Sequence, residues 1–116
     1  MVVVVPKDQD VIAITKDKDA RGNNCYVVSD VLGTSVLCTQ RLPEAARFLN
    51  EHVCPYDRVN VASLYESAMH KRLVHRRFAV RKCELDEAPR LFAQARARLP
   101  QARAVVLTMP HRVTLG

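Results

Sequence analysis

Tryptophan is absent from this chain of 116 residues, and aromatic residues make up only 5 % of it. A hydrophobic core must therefore be built from Val, Leu, Ala and Ile, which the overall apolar share of 48 % supplies. Charged residues contribute 26 %, and neither share is typical of a disordered chain. Because the length is also that of one domain, the sequence predicts a single folded domain over residues 1–116.

Long apolar runs are missing as well. No stretch of the sequence approaches the ~20 apolar residues that cross a bilayer as a helix. The apolar start of the chain, residues 1–5, stops at Pro6 and has no basic residues before it, unlike a secretory signal. We therefore expect an intracellular protein, in the cytoplasm or the nucleus, with no membrane partner.

The four cysteines are not arranged in pairs. Cys25, Cys38, Cys54 and Cys83 are widely spaced and no Cys-x-x-Cys motif occurs, which argues against a zinc finger or zinc ribbon. We expect reduced thiols in a reducing compartment, some of them acting as small core residues. The sequence predicts neither a metal site nor another cofactor.

Recognisable catalytic motifs are also lacking. The three glycines are isolated, so there is no glycine-rich loop to hold a phosphate, and no nucleophile motif places Ser, His and Asp together. Glu84, Asp86 and Glu87 cluster, but helix capping and the helix dipole explain carboxylates at a helix start. The sequence therefore predicts a binding protein rather than an enzyme.

Positive charge is present and unevenly distributed. Residues 1–40 carry four bases and five acids, whereas residues 41–116 carry fourteen bases and seven acids. The segment 71–82 alone holds six Lys or Arg residues and no acid. This predicts a nucleic-acid partner, because neutralising phosphates supplies much of the free energy of such binding. The alternative is a protein-interaction or scaffold domain whose basic face docks an acidic partner.

Strands are predicted from alternation and from β-branched runs between turn residues. Phe78 and Val80 alternate with Arg77, Ala79 and Arg81, which indicates a strand with one buried and one basic face. The remaining predicted strands cover residues 2–5, 11–15, 25–28, 35–38 and 104–109. The first four of these suggest a small, mostly antiparallel sheet.

Three helices are predicted from apolar residues at helical spacing. The first begins near Leu42 and ends before Pro55, which cannot continue it. The second is capped by Asn60 and extends to about residue 70. The third is capped by Asp86 and stops before Pro100. Tyr65 and Phe78 lie on the apolar sides of their elements, so we expect both in the core.

The order of these elements predicts an α+β domain, with a small antiparallel sheet, a helix pair, a basic strand and a C-terminal helix. Its parts are a strand-rich part (1–40), the helix pair with the basic strand (41–83), a helix and strand (84–110) and a tail (111–116). The last strand could form an exposed sheet edge, so a homodimer paired across a two-fold axis is a further expectation.

A family resemblance covers residues 38–82. Glu44, Ala45, Ala46, Phe48 and Leu49 resemble the first helix of the nuclease-associated modular (NUMOD-type) helix-turn-helix DNA-binding domains. Residues 61–68 resemble the second helix of that family, and residues 71–72 and 78–81 resemble its basic stretch and aromatic strand. The pattern differs at Arg41, where the family usually has a capping Ser, and in its longer connection between the helices. No nuclease segment precedes the module, so we expect binding without cleavage.

The resemblance implies DNA binding by residues 59–70, with the basic strand as support, and it favours DNA over RNA, double-stranded DNA in particular. Small polar residues on the second helix can approach base edges, and nearby Lys and Arg residues can meet phosphates. The predicted base-edge residues are Arg58, Asn60, Ser63, Ser67 and His70. The predicted phosphate contacts are Lys71, Arg72, Arg76, Arg77, Arg81 and Lys82.

Overall fold

A computed structural model of the protein describes residues 2–5 and 14–107. Within these residues strands come first, followed by two helices, a strand, a helix and a last strand, which is the order that the sequence predicts. The strands are Val2–Val5 (β1), Asn24–Asp30 (β2), Ser35–Thr39 (β3), Phe78–Glu84 (β4) and Arg103–Leu107 (β5). The helices are Leu42–His52 (α1), Val61–His70 (α2) and Ala88–Arg98 (α3). The α+β class is therefore confirmed.

All of these strands belong to one sheet, in the order β1-β5-β3-β2-β4. Its neighbouring strands are antiparallel except β3 and β5, which are parallel. The prediction that the last strand forms a sheet edge is wrong, because β5 lies between β1 and β3 and is paired on both sides. Among the described residues the outer strands are β1 and β4, so dimer pairing through β5 is not available.

Helices cover the sheet on both faces, which explains why its central strands are apolar on both sides. On one face α1 packs against β3 and α2 packs against β4. On the other face α3 packs against β2 and β3. The first layer contains Leu37, Leu49, Leu64, Phe78 and Val105, and the second contains Val27, Val36, Phe92, Ala104 and Val106.

Three predicted segments differ from the structure or lie partly or wholly outside its described residues. The third helix begins at Ala88, and Asp86 does not cap it, because β4 extends to Glu84 and the Leu85 N–H still donates to the Asn23 carbonyl across the sheet (2.7 Å). Of the predicted strand 11–15, residues 14 and 15 are not in a strand, and residues 11–13 lie outside the described residues. The predicted tail, 111–116, also lies outside them.

The cysteines contribute to the core, as predicted. Cys25, Cys38 and Cys54 are buried, Cys83 is partly exposed, and all four are free thiols. The Sγ atoms of Cys25 and Cys38 are 3.5 Å apart. Hydrogen bonding between thiols, reinforced by burial, raises the pKa of Cys25 and of Cys83, so both stay protonated. These thiols therefore act as small apolar residues.

Replacing Leu49 by Ala is expected to lower the free energy of unfolding by about 2–5 kcal/mol, because this fully buried side chain joins α1 to the sheet. Urea denaturation followed by circular dichroism measures the change. Leu32→Ala removes the same atoms from a turn residue that is 70 % exposed, and we expect it to be nearly neutral. Equal effects of the two substitutions would contradict the packing described for α1.

Candidate nucleic-acid interface

The C-terminal end of α2 is fixed by its last turn and by one buried serine. Lys71 adopts the left-handed conformation (φ 56°, ψ 36°), and its N–H donates to the Ser67 carbonyl. The Ser67 hydroxyl donates to the Arg72 carbonyl and accepts from the Val80 N–H (3.2 Å). Ser67 thus connects α2, the segment after it and β4. Because it is buried, the prediction that it contacts base edges is wrong.

The basic segment then reverses direction in a tight turn before β4. Val74 and Phe78 exchange backbone hydrogen bonds of 2.9 Å, and the turn residues His75 (φ 53°) and Arg76 (φ 55°) have positive φ values. Two successive positive φ angles are typical of the type I′ hairpin turn. The turn places Arg76 at an exposed tip, and His75 Nδ1 lies 3.1 Å from the Asp57 carboxylate.

Arg77 turns inward from this hairpin and meets a buried carboxylate. Its Nε donates to Asp30 Oδ1 (3.0 Å) and its Nη2 donates to Asp30 Oδ2 (2.8 Å). Asp30 has a fully buried side chain, whereas that of Arg77 is 22 % exposed. The Asp30 carboxylate also accepts from the Leu32 N–H and the Thr34 hydroxyl. Arg77 therefore holds the β2–β3 turn, and its guanidinium is engaged by this carboxylate, unlike the cation that its predicted phosphate contact requires.

Burial alone would raise the pKa of Asp30, since it disfavours the charged form. The hydrogen bonds from Arg77, Thr34 and the Leu32 N–H outweigh that penalty and hold the pKa below its ordinary value. The hydrogen bonds between Arg77 and Asp30 also raise the pKa of Arg77. Because both groups stay charged, the pair neutralises one of the six cations in the segment 71–82.

The other cations of this segment remain exposed. Four of them line one groove of about 500 Å³ between the end of α2 and the outer edge of β4, and Ser67, Ala68, Ala79 and Val80 line it with them. Among the described residues, none of the four has a carboxylate within ion-pair distance. They are Lys71, Arg72, Arg81 and Lys82. We call this feature the cationic groove.

The remaining predicted site residues lie outside the groove. Asn60 caps α2, because its side-chain oxygen accepts from the Ser63 N–H (2.8 Å). Its prediction as the cap is confirmed, and its side-chain oxygen is therefore already in use. Arg58, His70 and Arg76 are exposed, and Ser63 is partly exposed. The structure thus gathers four of the six predicted phosphate contacts at one groove. Of the predicted base-edge residues, the buried Ser67 alone lines this groove.

Tyr65 is exposed, contrary to its predicted place in the core, whereas Phe78 is buried as predicted. Val61, Tyr65 and Met69 form an outward stripe on α2, while Leu64 faces the sheet. Burial raises the pKa of Tyr26, and the nearby Tyr65 adds to this shift. Tyr26 lies opposite Lys82 in the β2–β4 register, and α2, which carries Tyr65, packs against β4.

No protein-family model, curated protein or solved structure matches the chain. The resemblance to the helix-turn-helix modules therefore stays a prediction. Within the described residues, no group of three or more His, Cys, Asp or Glu side chains is placed to hold a metal ion. None of the helices in the same residues is long and apolar enough to cross a membrane.

Proposed function

We propose that the protein is a nucleic-acid-binding module that holds the phosphate backbone in its cationic groove. The single observation that carries this proposal is the convergence of Lys71, Arg72 and Lys82 on one groove, with Arg81 beside them at the edge of β4. Exposed cations that lack an anionic partner raise the local positive potential, and phosphates displace their counterions on binding. The buried Asp30 carboxylate does not compete for these cations, because Arg77 neutralises it.

The proposed binding depends more on the phosphate backbone of the nucleic acid than on its base sequence. Duplex DNA is the target that the family resemblance implies, and α2 would be its reading helix. On that helix Ser67 is buried and the Asn60 side-chain oxygen serves as the cap, which leaves Ser63 and His70 for base edges. Phosphate contacts position a protein without specifying sequence, so we expect little discrimination between duplex sequences.

A second candidate, an acidic protein segment, is favoured by the open edge of β4. The Val80 N–H points away from β2 and donates to Ser67. Because the backbone groups of every second residue in a strand point to the same side, those of Lys82 also point away from β2. Val74 and Ser67 occupy this edge at Phe78 and Val80, and among the described strands none pairs with the remainder of it. An extended acidic chain could add there as a further strand, with its carboxylates beside the same cations.

The two candidates are separated by binding measurements at increasing salt concentration. The ligands are a random 20-bp DNA duplex, its single strand, an RNA duplex of the same length and a polyglutamate peptide, each followed by fluorescence anisotropy. Four phosphate contacts predict a log–log slope of about −3.6 for duplex DNA and about −2.8 for the single strand.

Binding of polyglutamate as tight as that of DNA would favour the acidic-segment candidate. If no polyanion binds at 50 mM salt, the proposed function is wrong. Equal binding of DNA and RNA duplexes would remove the expected preference for DNA. A strong preference for one duplex sequence would contradict backbone-dominated binding and support base reading by α2.

A further inference from the structure

A second groove lies on the opposite face of the sheet, beneath α3. This helix packs against β2 and β3, while β4, the next strand after β2, lies at the edge of the sheet. A groove of about 330 Å³ runs between α3 and the β2–β4 ribbon. We call it the α3 groove. It takes no part in the proposed nucleic-acid binding except that Arg81 lines both grooves.

The α3 groove has apolar walls and a basic, polar rim. Leu91 and Ala95 lie one turn apart on one side of α3, and Leu99 follows at its C-terminal cap. Val27 and Ala79 line the groove from the sheet. The charged lining residues are Arg81 and Arg98, both exposed.

The groove contains no acid that could neutralise these arginines. No lining residue is a carboxylate, and Ser29 and Gln94 supply its other polar side chains. Neither Arg81 nor Arg98 has an ion-pair partner within residues 2–5 and 14–107. An occupant that matches this lining has an apolar body and an anionic head group, since an anion is attracted to unneutralised guanidinium groups.

The size of the groove decides between a small molecule and a macromolecule. Its volume equals that of about eleven water molecules at ~30 Å³ each and lies at the lower end of the range for small-molecule sites. An α-helix with side chains is about 10–12 Å across, so a groove of this volume receives at most part of one face of a partner helix, whereas a small molecule fits within it. We propose that the α3 groove binds a small amphipathic organic anion, with its apolar part against Leu91 and Ala95 and its head group at Arg98.

The test uses two fluorescent probes that share their aromatic rings. 8-Anilinonaphthalene-1-sulfonate carries an anionic head group, whereas N-phenyl-1-naphthylamine lacks it. We expect saturable 1:1 binding of the sulfonate, weaker binding of the neutral probe, and displacement of the sulfonate by decanoate. If the sulfonate fails to saturate at one site, or if the neutral probe binds as tightly, the proposal is wrong.

Variants on α3 locate the site. Arg98→Glu should weaken sulfonate binding about three- to tenfold, because it replaces one exposed attraction by a repulsion, and it should leave neutral-probe binding unchanged. Ala95→Phe should reduce binding of both probes by filling the groove. Arg90→Glu is the matched control, since Arg90 is exposed on the same helix and does not line the groove. Equal effects of Arg90→Glu and Arg98→Glu would overturn the assignment.

Two controls separate binding in the α3 groove from the proposed nucleic-acid binding. Near-ultraviolet circular dichroism on each variant checks that the fold persists, because loosened cores also bind such probes. Duplex DNA binding by Arg98→Glu should stay close to that of Arg90→Glu, because neither residue lines the cationic groove. If the wild-type protein binds DNA but does not bind the sulfonate, the proposal for the α3 groove fails and the proposed function stands. If it binds the sulfonate but no DNA, the proposed function fails and the α3 groove assignment stands.

Discussion

Replacing Arg77 by Ala is expected to lower the free energy of unfolding by about 3 kcal/mol. The substitution leaves the Asp30 carboxylate fully buried without its cationic partner. Removing one member of a buried ion pair costs about 3–5 kcal/mol, because the other charge stays desolvated. The lower end of this range applies here, since the guanidinium is 22 % exposed and keeps part of its hydration.

Arg76→Ala is the control for this prediction. It removes the same side chain from the adjacent position, but Arg76 lies at the exposed tip of the hairpin and has no ion-pair partner among the described residues. We expect a change within about 0.5 kcal/mol. Urea denaturation at pH 7 compares the two variants. If both are equally neutral, the Asp30–Arg77 pair does not stabilise the fold and Arg77 is again available as a ligand contact.

The same pair predicts a dependence of stability on pH. The pKa of Asp30 is lower in the folded protein than its ordinary value of about 3.9. Its contribution is therefore fully present above that ordinary value and is lost as the pH falls through the lower, folded value. Asp30→Asn should be less stable than the wild type at pH 7, and the difference should shrink as the pH falls below the ordinary value of the carboxyl pKa. A constant difference would contradict this assignment.

The triple substitution Arg72→Ser, Arg81→Ser and Lys82→Ser should weaken duplex DNA binding by about 10²-fold or more in 0.1 M salt. Each phosphate contact contributes about 0.9 to the log–log salt slope, which corresponds to nearly a factor of ten at that concentration. The slope itself should fall from about −3.6 to about −0.9. Because these side chains are exposed, the thermal midpoint should change little.

A second triple variant tests whether position or only net charge matters. Arg21→Ser, Arg90→Ser and Arg103→Ser remove three exposed cations that do not line the cationic groove. Both variants lower the formal charge of +6 by three. We expect the control to keep most of its affinity and its slope. If the two variants lose affinity equally, binding follows the overall charge and the groove has no special role.

Much of the local structure could be predicted from local patterns. The β-branched and alternating runs gave the positions of β1, β2 and β3, and the apolar stripe with Pro43 gave the start of α1. Asn60 was predicted as the cap of α2 from residue type alone. The interpretation of α2 itself was only partly right, because helical spacing does not show which of two apolar sides, Leu64 or Tyr65, faces the sheet.

The errors concern partners that are distant in sequence. Arg77 and Asp30 are 47 residues apart, and nothing in the basic segment distinguishes Arg77 from its neighbours. Ser67 and Val80 are 13 residues apart, and only their packing shows why the serine is buried. The place of β5 inside the sheet likewise depends on its parallel pairing with β3, which brings together strands separated by three helices and one strand.

The amino-acid sequence determined that the core rests on aliphatic rather than aromatic residues. It also determined where most of the strands and helices lie and that the positive charge concentrates after residue 40. Those features depend on interactions between neighbouring residues or on simple sums over the sequence. The tertiary structure alone decided which cations are neutralised, which apolar side chains face outward and which strands form the sheet edges. These depend on three-dimensional contacts, because burial and ion pairing are set by distances that the sequence order does not specify.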